Sequence, residues 1–339
     1  MTKGFRGEFF GAFGDLGIMI PIFISIVAIN GLNPQVVLLS VGLGYIACGF
    51  YYKIPIPVQP LKAMAAIAIA TGLQPSIISA GGILIGVILL FLSISGLINL
   101  LNRIFSKPIV RGIQLGVGLL LIKASISLIY GQKQITASFF GMEGFGLSIP
   151  NFDDFIKAFF LLVIPQLPLT LGNSIVATED VAKKYFGDRA ERVTAHSLSL
   201  GLGIANIFSG LVGGMPVCHG SSGVTAHYSF GARTGIAPII IGSLCLFLGL
   251  IFSDGAINIL KLIPYPILGV MLFYVGVKHI LLIADVQRKE LPIALGVGII
   301  SIISGNLATG FFTGMAVWYF PRMYAVKVIV SEGKIKGNQ

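Results

Sequence analysis

Asp15 lies in Phe13-Gly14-Asp15-Leu16-Gly17 and is the one carboxylate clearly inside an apolar run. An ionisable side chain in such a setting is a functional hypothesis by default, and a carboxylate taken out of water can hold a proton. Two further stretches concentrate polar chemistry. Ile54-Pro55-Ile56-Pro57-Val58-Gln59-Pro60 leads to Lys62, and Gly213-Gly214-Met215-Pro216-Val217 leads to Cys218, His219, Gly220, Ser221, Ser222 and Gly223. Each is a proline-containing break followed by a short apolar segment, 57–71 and 216–229, too short to cross a bilayer. A helix that restarts at such a break presents unpaired N–H groups and about half a positive charge. Two such starts facing each other would hold an anion without a metal. Gly220 and Gly223 would let a ligand approach the backbone, although small residues also serve close helix packing. Gln59 and Lys62 are the polar groups of the first break. The dipole disfavours a charged imidazole at a helix start, so His219 reads as a neutral hydrogen-bond donor. A fourth stretch, Pro165 to Ser174, sets Gln166, Thr170 and Asn173 at spacings of four and three, a polar stripe on one helix face. Asp15 has a bland reading too, as a structural partner of Lys62 or a cap on a broken helix.

The elements that position these residues follow from composition. Of 339 residues, 55% are hydrophobic and 11% charged, and the mean hydropathy is +0.93. A soluble domain carries about 25% charged residues, so the chain is expected to be a polytopic helical membrane protein with no soluble catalytic domain. About twelve spans are predicted, near 9–29, 35–52, 57–71, 75–95, 108–129, 154–178, 194–212, 216–229, 235–253, 264–283, 291–305 and 307–321. No signal-peptide pattern is expected at the N-terminus, where Glu8 interrupts the first run.

With the N-terminus inside, most of the 23 basic residues fall in cytoplasmic stretches, including Arg6, Lys53, Arg111, Lys183, Arg192, Arg233 and Arg288. Lys133 and Lys261 fall outside. This partition follows the positive-inside rule and accounts for the net charge of +10 without nucleic acid. Both termini are predicted cytoplasmic, in a cell membrane. Cys48, Cys218 and Cys245 form no CxxC pair, and the histidines show no metal-ligand spacing. No phosphate loop, metal site, cofactor site or nucleophile–base pair lines up, so an enzyme is not expected.

The halves repeat. Gly42-Leu43-Gly44 recurs as Gly201-Leu202-Gly203, Pro57-Val58 as Pro216-Val217 and Ile98-Asn99 as Ile257-Asn258, each 159 residues on. Pro108-Ile109 recurs as Pro266-Ile267 at 158. The copies run in opposite senses, and paired broken segments in an inverted repeat point to a transporter's site.

At these residues the chain resembles a known family. Pro165-Gln-Leu-Pro-Leu-Thr-Leu-Gly-Asn-Ser174, Met215-Pro-Val-Cys-His-Gly-Ser-Ser-Gly223 with Tyr228-Ser-Phe-Gly-Ala-Arg-Thr-Gly235, Gly14-Asp-Leu-Gly17 and Pro57-Val-Gln-Pro-Leu-Lys62 together resemble the molybdate transporter family, a branch of the sulfate permease superfamily. The resemblance covers nearly the whole chain. It implies seven-plus-seven inverted repeats divided into a core domain (1–96 and 154–254) and a gate domain (97–130 and 255–321), with an outer loop at 131–153 and a cytoplasmic tail at 322–339. The first gate half reads two spans short. No STAS domain follows, as that branch leads one to expect. Substrate would bind Gln59, Lys62, Gln166, Thr170, Asn173, Cys218, His219, Gly220, Ser221 and Ser222, with Asp15 as the coupling group. The expected activity is secondary import of a tetrahedral oxyanion, molybdate before tungstate or sulfate, by proton symport. The rivals are a nucleobase permease of the same fold and a passive anion channel. The partners are the oxyanion, protons and the bilayer, with a homodimer left open.

Overall fold

The computed structural model describes residues 2–98, 100, 106–130, 149–251 and 264–320. Lys133, Lys261, Ile257-Asn258, Asn99, most of the 131–153 loop and the 322–339 tail lie outside the described residues.

The chain opens with α1 (Thr2–Ala12) and α2 (Leu16–Asn30), then α3 (Pro34–Tyr52). The expected first span at 9–29 is therefore two helices. The break falls at 13–15, where Gly14 admits no side chain, since a Cβ there would sit 2.9 Å from the Ala226 carbonyl oxygen. Asn33 starts α3 by accepting from the N–H groups of Gln35 and Val36, with Pro34 at the first helical position, where its missing N–H costs nothing.

Strand β1 (Gln59–Pro60) precedes α4 (Lys62–Thr71), and β2 (Val217–Cys218) precedes α9 (Ser221–Ser229). The strands pair antiparallel, Gln59 opposite Cys218 and Pro60 opposite Val217. Among the described residues the fold is thus helical except for this ladder, which the sequence reading did not foresee. Prolines 55, 57 and 60 keep the chain extended, and Asn206 pairs both backbone groups of Val217 at 2.8 Å.

Between these lie α5 (Pro75–Ser95), α6 (Lys107–Tyr130), a long α7 (Phe152–Ala190) and α8 (Ala195–Leu211). Then come α10 (Ile236–Ile251), α11 (Tyr265–Leu281), α12 (Leu291–Ile303) and α13 (Leu307–Phe320). Helix α7 widens into π turns at Phe159–Val163 and Thr170–Val176, on either side of Pro165 and Pro168. Each proline removes an N–H from the ladder, and widened turns of this kind often mark functional sites.

Helix α3 packs on α10, α5 on α8, and α6 on α11. Each contact is made by glycines. A Cβ on Gly42 or Gly242 would fall within 2.9 Å of the other's carbonyl oxygen. The same holds to 3.1 Å for Gly86 with Gly203, and to 2.8 Å for Gly118 with Gly276. Backbones this close are typical of membrane helix pairs. Among the described residues, five helices are long and apolar enough to cross a membrane.

Candidate functional site

The ladder decides which side chains face the site. Side chains alternate along extended chain. Gln59 of β1 turns to one side while Val58, just before the strand, turns to the other. On β2, Cys218 turns with its ladder partner Gln59, while Val217 and, just beyond the strand, His219 turn with Val58.

On the first side lies a cavity lined by Lys62, Gln166, Asn173, Ser174, Cys218 and, from α6 and α11, Gln114 and His279. Its volume is about 10 Å³ for the centre of a water-sized sphere, room for about one water. Lys62 Nζ donates to Ser222 Oγ at 3.2 Å across the start of α9. Ser221 Oγ donates to Asn173 Oδ1 at 2.9 Å. Gln166 Oε1 accepts the N–H groups of Ala63 and Met64 at 2.9 and 3.1 Å, and its Nε2 donates to Thr170 Oγ1 at 3.0 Å. The expected polar stripe on α7 is therefore divided: Gln166 and Thr170 serve the start of α4, and Asn173 serves the start of α9.

The expectation of two free helix starts needs correction here. The second and third N–H groups of α4 are satisfied by Gln166. No side chain caps α9. A Cβ on Gly223 would lie 2.7 Å from Pro57 Cβ, so only glycine lets α9 start against β1.

Asp15 precedes α2 and is 3% exposed. Its Oδ2 accepts from Gln59 Nε2, and Gln59 is fully buried. Lys62 meets Ser222 rather than Asp15, so the alternative reading of Asp15 as an ion-pair partner of Lys62 is not a direct contact.

His219 is not brought to the cavity. Its Nδ1 donates to the Pro57 carbonyl oxygen at 2.8 Å, and its Nε2 lies 3.8 Å from Cys48 Sγ. It lines an apolar groove of about 510 Å³ between α3 and α8. Its backbone carbonyl does serve the site's frame, accepting from Thr178 Oγ1 at 2.6 Å. Cys218 lines the cavity, but its thiol is 3.4 Å from the Pro60 carbonyl oxygen.

Sequence reasoning missed Gln114 and His279. Gln114 is 5% exposed and held by Arg111 Nη1 at 2.7 Å. Arg111 in turn grips the Asp285 carboxylate with two bonds of 2.8 and 2.5 Å, the fork geometry arginine provides. A glutamine in an otherwise apolar run was the signal available for Gln114. His279 had none, because it falls near a span end.

The comparisons agree with this architecture. A family model described as "Molybdate transporter of MFS superfamily" matches residues 7–121 and 158–278. Molybdate transporter 2 of Arabidopsis thaliana is 28% identical over 92% of this chain and 86% of its own length. Molybdate transporter 1 of the same plant is 27% identical over 91% and 86%. Among solved structures, the transmembrane domain of a cyanobacterium bicarbonate transporter, BicA, superposes with a TM-score of 0.64 at 16% identity, covering 91% of this chain and 98% of that one. The murine Slc26a9 anion transporter, in its inward-facing state, gives 0.64 at 13% identity, covering 94% and 68%. The fold is therefore that of the sulfate permease-type transporters, and the protein is a multi-pass membrane protein and not an enzyme. With more than half of its length inside the family model, the chain belongs to the molybdate transporter family.

Proposed function

We propose that this protein is a secondary active importer of a tetrahedral oxyanion, molybdate first, driven by proton symport. The observation that carries the reading is the uncapped start of α9, with Lys62 across it and the Ser221–Asn173 pair beside it. It offers backbone N–H groups, a hydroxyl and an ammonium to an acceptor-rich dianion. The site residues are Gln59, Lys62, Gln166, Thr170, Asn173, Cys218, Gly220, Ser221 and Ser222, with Gln59, Gln166 and Thr170 acting as positioners. Molybdate is preferred because the relatives that cover this chain carry that name.

The cavity lies where α4, α7 and β2 of the proposed core meet α6 and α11 of the proposed gate. It admits about one water, so an oxyanion requires these two bodies to separate. The pairings α3 with α10 and α5 with α8 are each other's counterparts under the 159-residue repeat, and α6 packs on its own counterpart α11. That pattern supports an inverted repeat about the β1–β2 ladder. The bilayer is taken to be the cell membrane, with both termini cytoplasmic.

The test is molybdate uptake into proteoliposomes with and without an inward proton gradient, with sulfate and tungstate as competitors. Saturable, gradient-driven uptake that resists excess sulfate is expected. Asp15→Asn should abolish accumulation and spare molybdate exchange. Equal competition by sulfate would reduce the substrate to oxyanions in general. No oxyanion uptake by folded protein would overturn the reading.

A further inference from the structure

The proposed gate brings two side chains to the cavity, Gln114 on α6 and His279 on α11. Their hydrogen-bond partners decide what each can offer there. His279 Nδ1 is 2.9 Å from the Val275 carbonyl oxygen. A carbonyl only accepts, so the hydrogen of the neutral ring sits on Nδ1, and Nε2 carries a lone pair. A neutral His279 has nothing to donate to an oxyanion.

Gln114 is the reverse. It is buried, and its Oε1 accepts from Arg111 Nη1 at 2.7 Å. A guanidinium only donates, so turning the amide over would set its NH2 against Nη1. The oxygen is thus spent on Arg111, and the end left for the cavity is Nε2 with its two N–H groups. Arg111 is itself fixed. Its Nε and Nη2 donate to the two carboxylate oxygens of Asp285, just after α11, at 2.8 and 2.5 Å. Lys107 Nζ holds the same residue, 2.9 Å from its carbonyl oxygen and 3.3 Å from its carboxylate. An amide whose oxygen bonds a cation donates more strongly from its nitrogen, and the cluster sets two cations against one carboxylate.

We propose that Gln114 is the gate's hydrogen-bond donor to the transported oxyanion, and that Arg111 and Asp285 are positioning residues that hold its amide nitrogen-first. This rests on the anion-site reading above. The core grips the anion from one side, at Lys62 and the start of α9. Gln114 meets it from the other, once the two bodies have parted enough to admit it. An oxygen that carries hydrogen finds no acceptor at this amide, because Arg111 has taken it. The gate wall therefore favours the fully ionised oxyanion.

The experiment is a double-mutant cycle on the full chain, read as molybdate binding by titration calorimetry. Gln114→Met removes both ends of the amide at similar length and should raise Kd about tenfold, the size of one hydrogen bond to a charged group. Asp285→Asn should raise it about threefold by loosening Arg111, and Asp285→Glu should recover most of that loss. Loss of a negative charge would by Coulomb's law tighten an anion, so the sign of the Asp285→Asn effect separates positioning from bare charge. In the Gln114→Met protein Asp285→Asn should add nothing, because its effect passes through the amide. Binding by Gln114→Met at the unaltered level overturns the donor role. Tighter binding by Asp285→Asn, or an equal loss with and without Gln114, overturns the positioning role. Should Gln114→Met not fold, Gln114→Glu decides, since it keeps an oxygen for Arg111. It should bind molybdate more weakly still, and unaltered affinity overturns the proposal. An unaltered protein that binds no oxyanion overturns the anion-site reading and the proposal with it.

Discussion

The two half-helices begin alike in sequence and end up in different chemical states. Both follow a proline and a two-residue strand, yet α4 starts under the side-chain oxygen of Gln166, and α9 starts with no side chain over it. Gln166 is buried, and Ser222 is exposed. The positive end of α4 is therefore neutralised by a group the protein supplies, and on the proposed function the positive end of α9 is left to the ligand. On that reading, two similar segments are divided into one that holds the frame and one that binds.

Replacing Gln166 breaks the comparison most severely. Gln166→Leu leaves two buried N–H groups without an acceptor, at about 1–3 kcal/mol each, so a loss of about 2–6 kcal/mol is expected, read as a lowered unfolding temperature in detergent. Gln166→Glu keeps the acceptor and should keep the stability, but its charge opposes a dianion, so affinity should fall. If both variants bind and unfold like the parent, α4 is not held by this residue.

Lys62→Met acts on the binding half. Loss of the ammonium beside Ser222 should weaken molybdate about tenfold, about 1.4 kcal/mol, with the difference shrinking as salt rises. Stability should barely move. An unchanged dissociation constant in titration calorimetry would place the anion elsewhere. Ser222→Ala is the mildest. It removes one neutral hydroxyl, worth about 0.5–1.5 kcal/mol, and should raise the dissociation constant a few-fold. A loss larger than that of Lys62→Met would make the hydroxyl, rather than the charge, the principal contact.

Much of this arrangement is legible in the residues. The prolines before Lys62 and before Ser221 announce both half-helices, because an extended proline stretch cannot continue a helix. Asp15 stands out because apolar runs rarely carry a carboxylate. Other features are hidden for physical reasons. The break at Gly14 sits inside an apolar run, where nothing local distinguishes a turn from a tolerated glycine. The side taken by His219 depends on the alternation of a ladder two residues long, too short to leave a period. Gln114 and His279 reach the cavity only because α6 and α11 pack against the other half, and contacts between distant segments leave no mark on spacing.

The Gln59–Cys218 pairing has a consequence for selectivity. Hydrogen bonds between β1 and β2 tie the starts of α4 and α9 into one rigid piece. Neither can swing away without tearing the ladder, so the gap between them acts as a calliper of fixed jaw width. On the proposed function, whatever exposes it to one side of the bilayer or the other would move the whole instrument. Oxyanions of different diameter would then be measured by the same unyielding gauge at both ends of the journey.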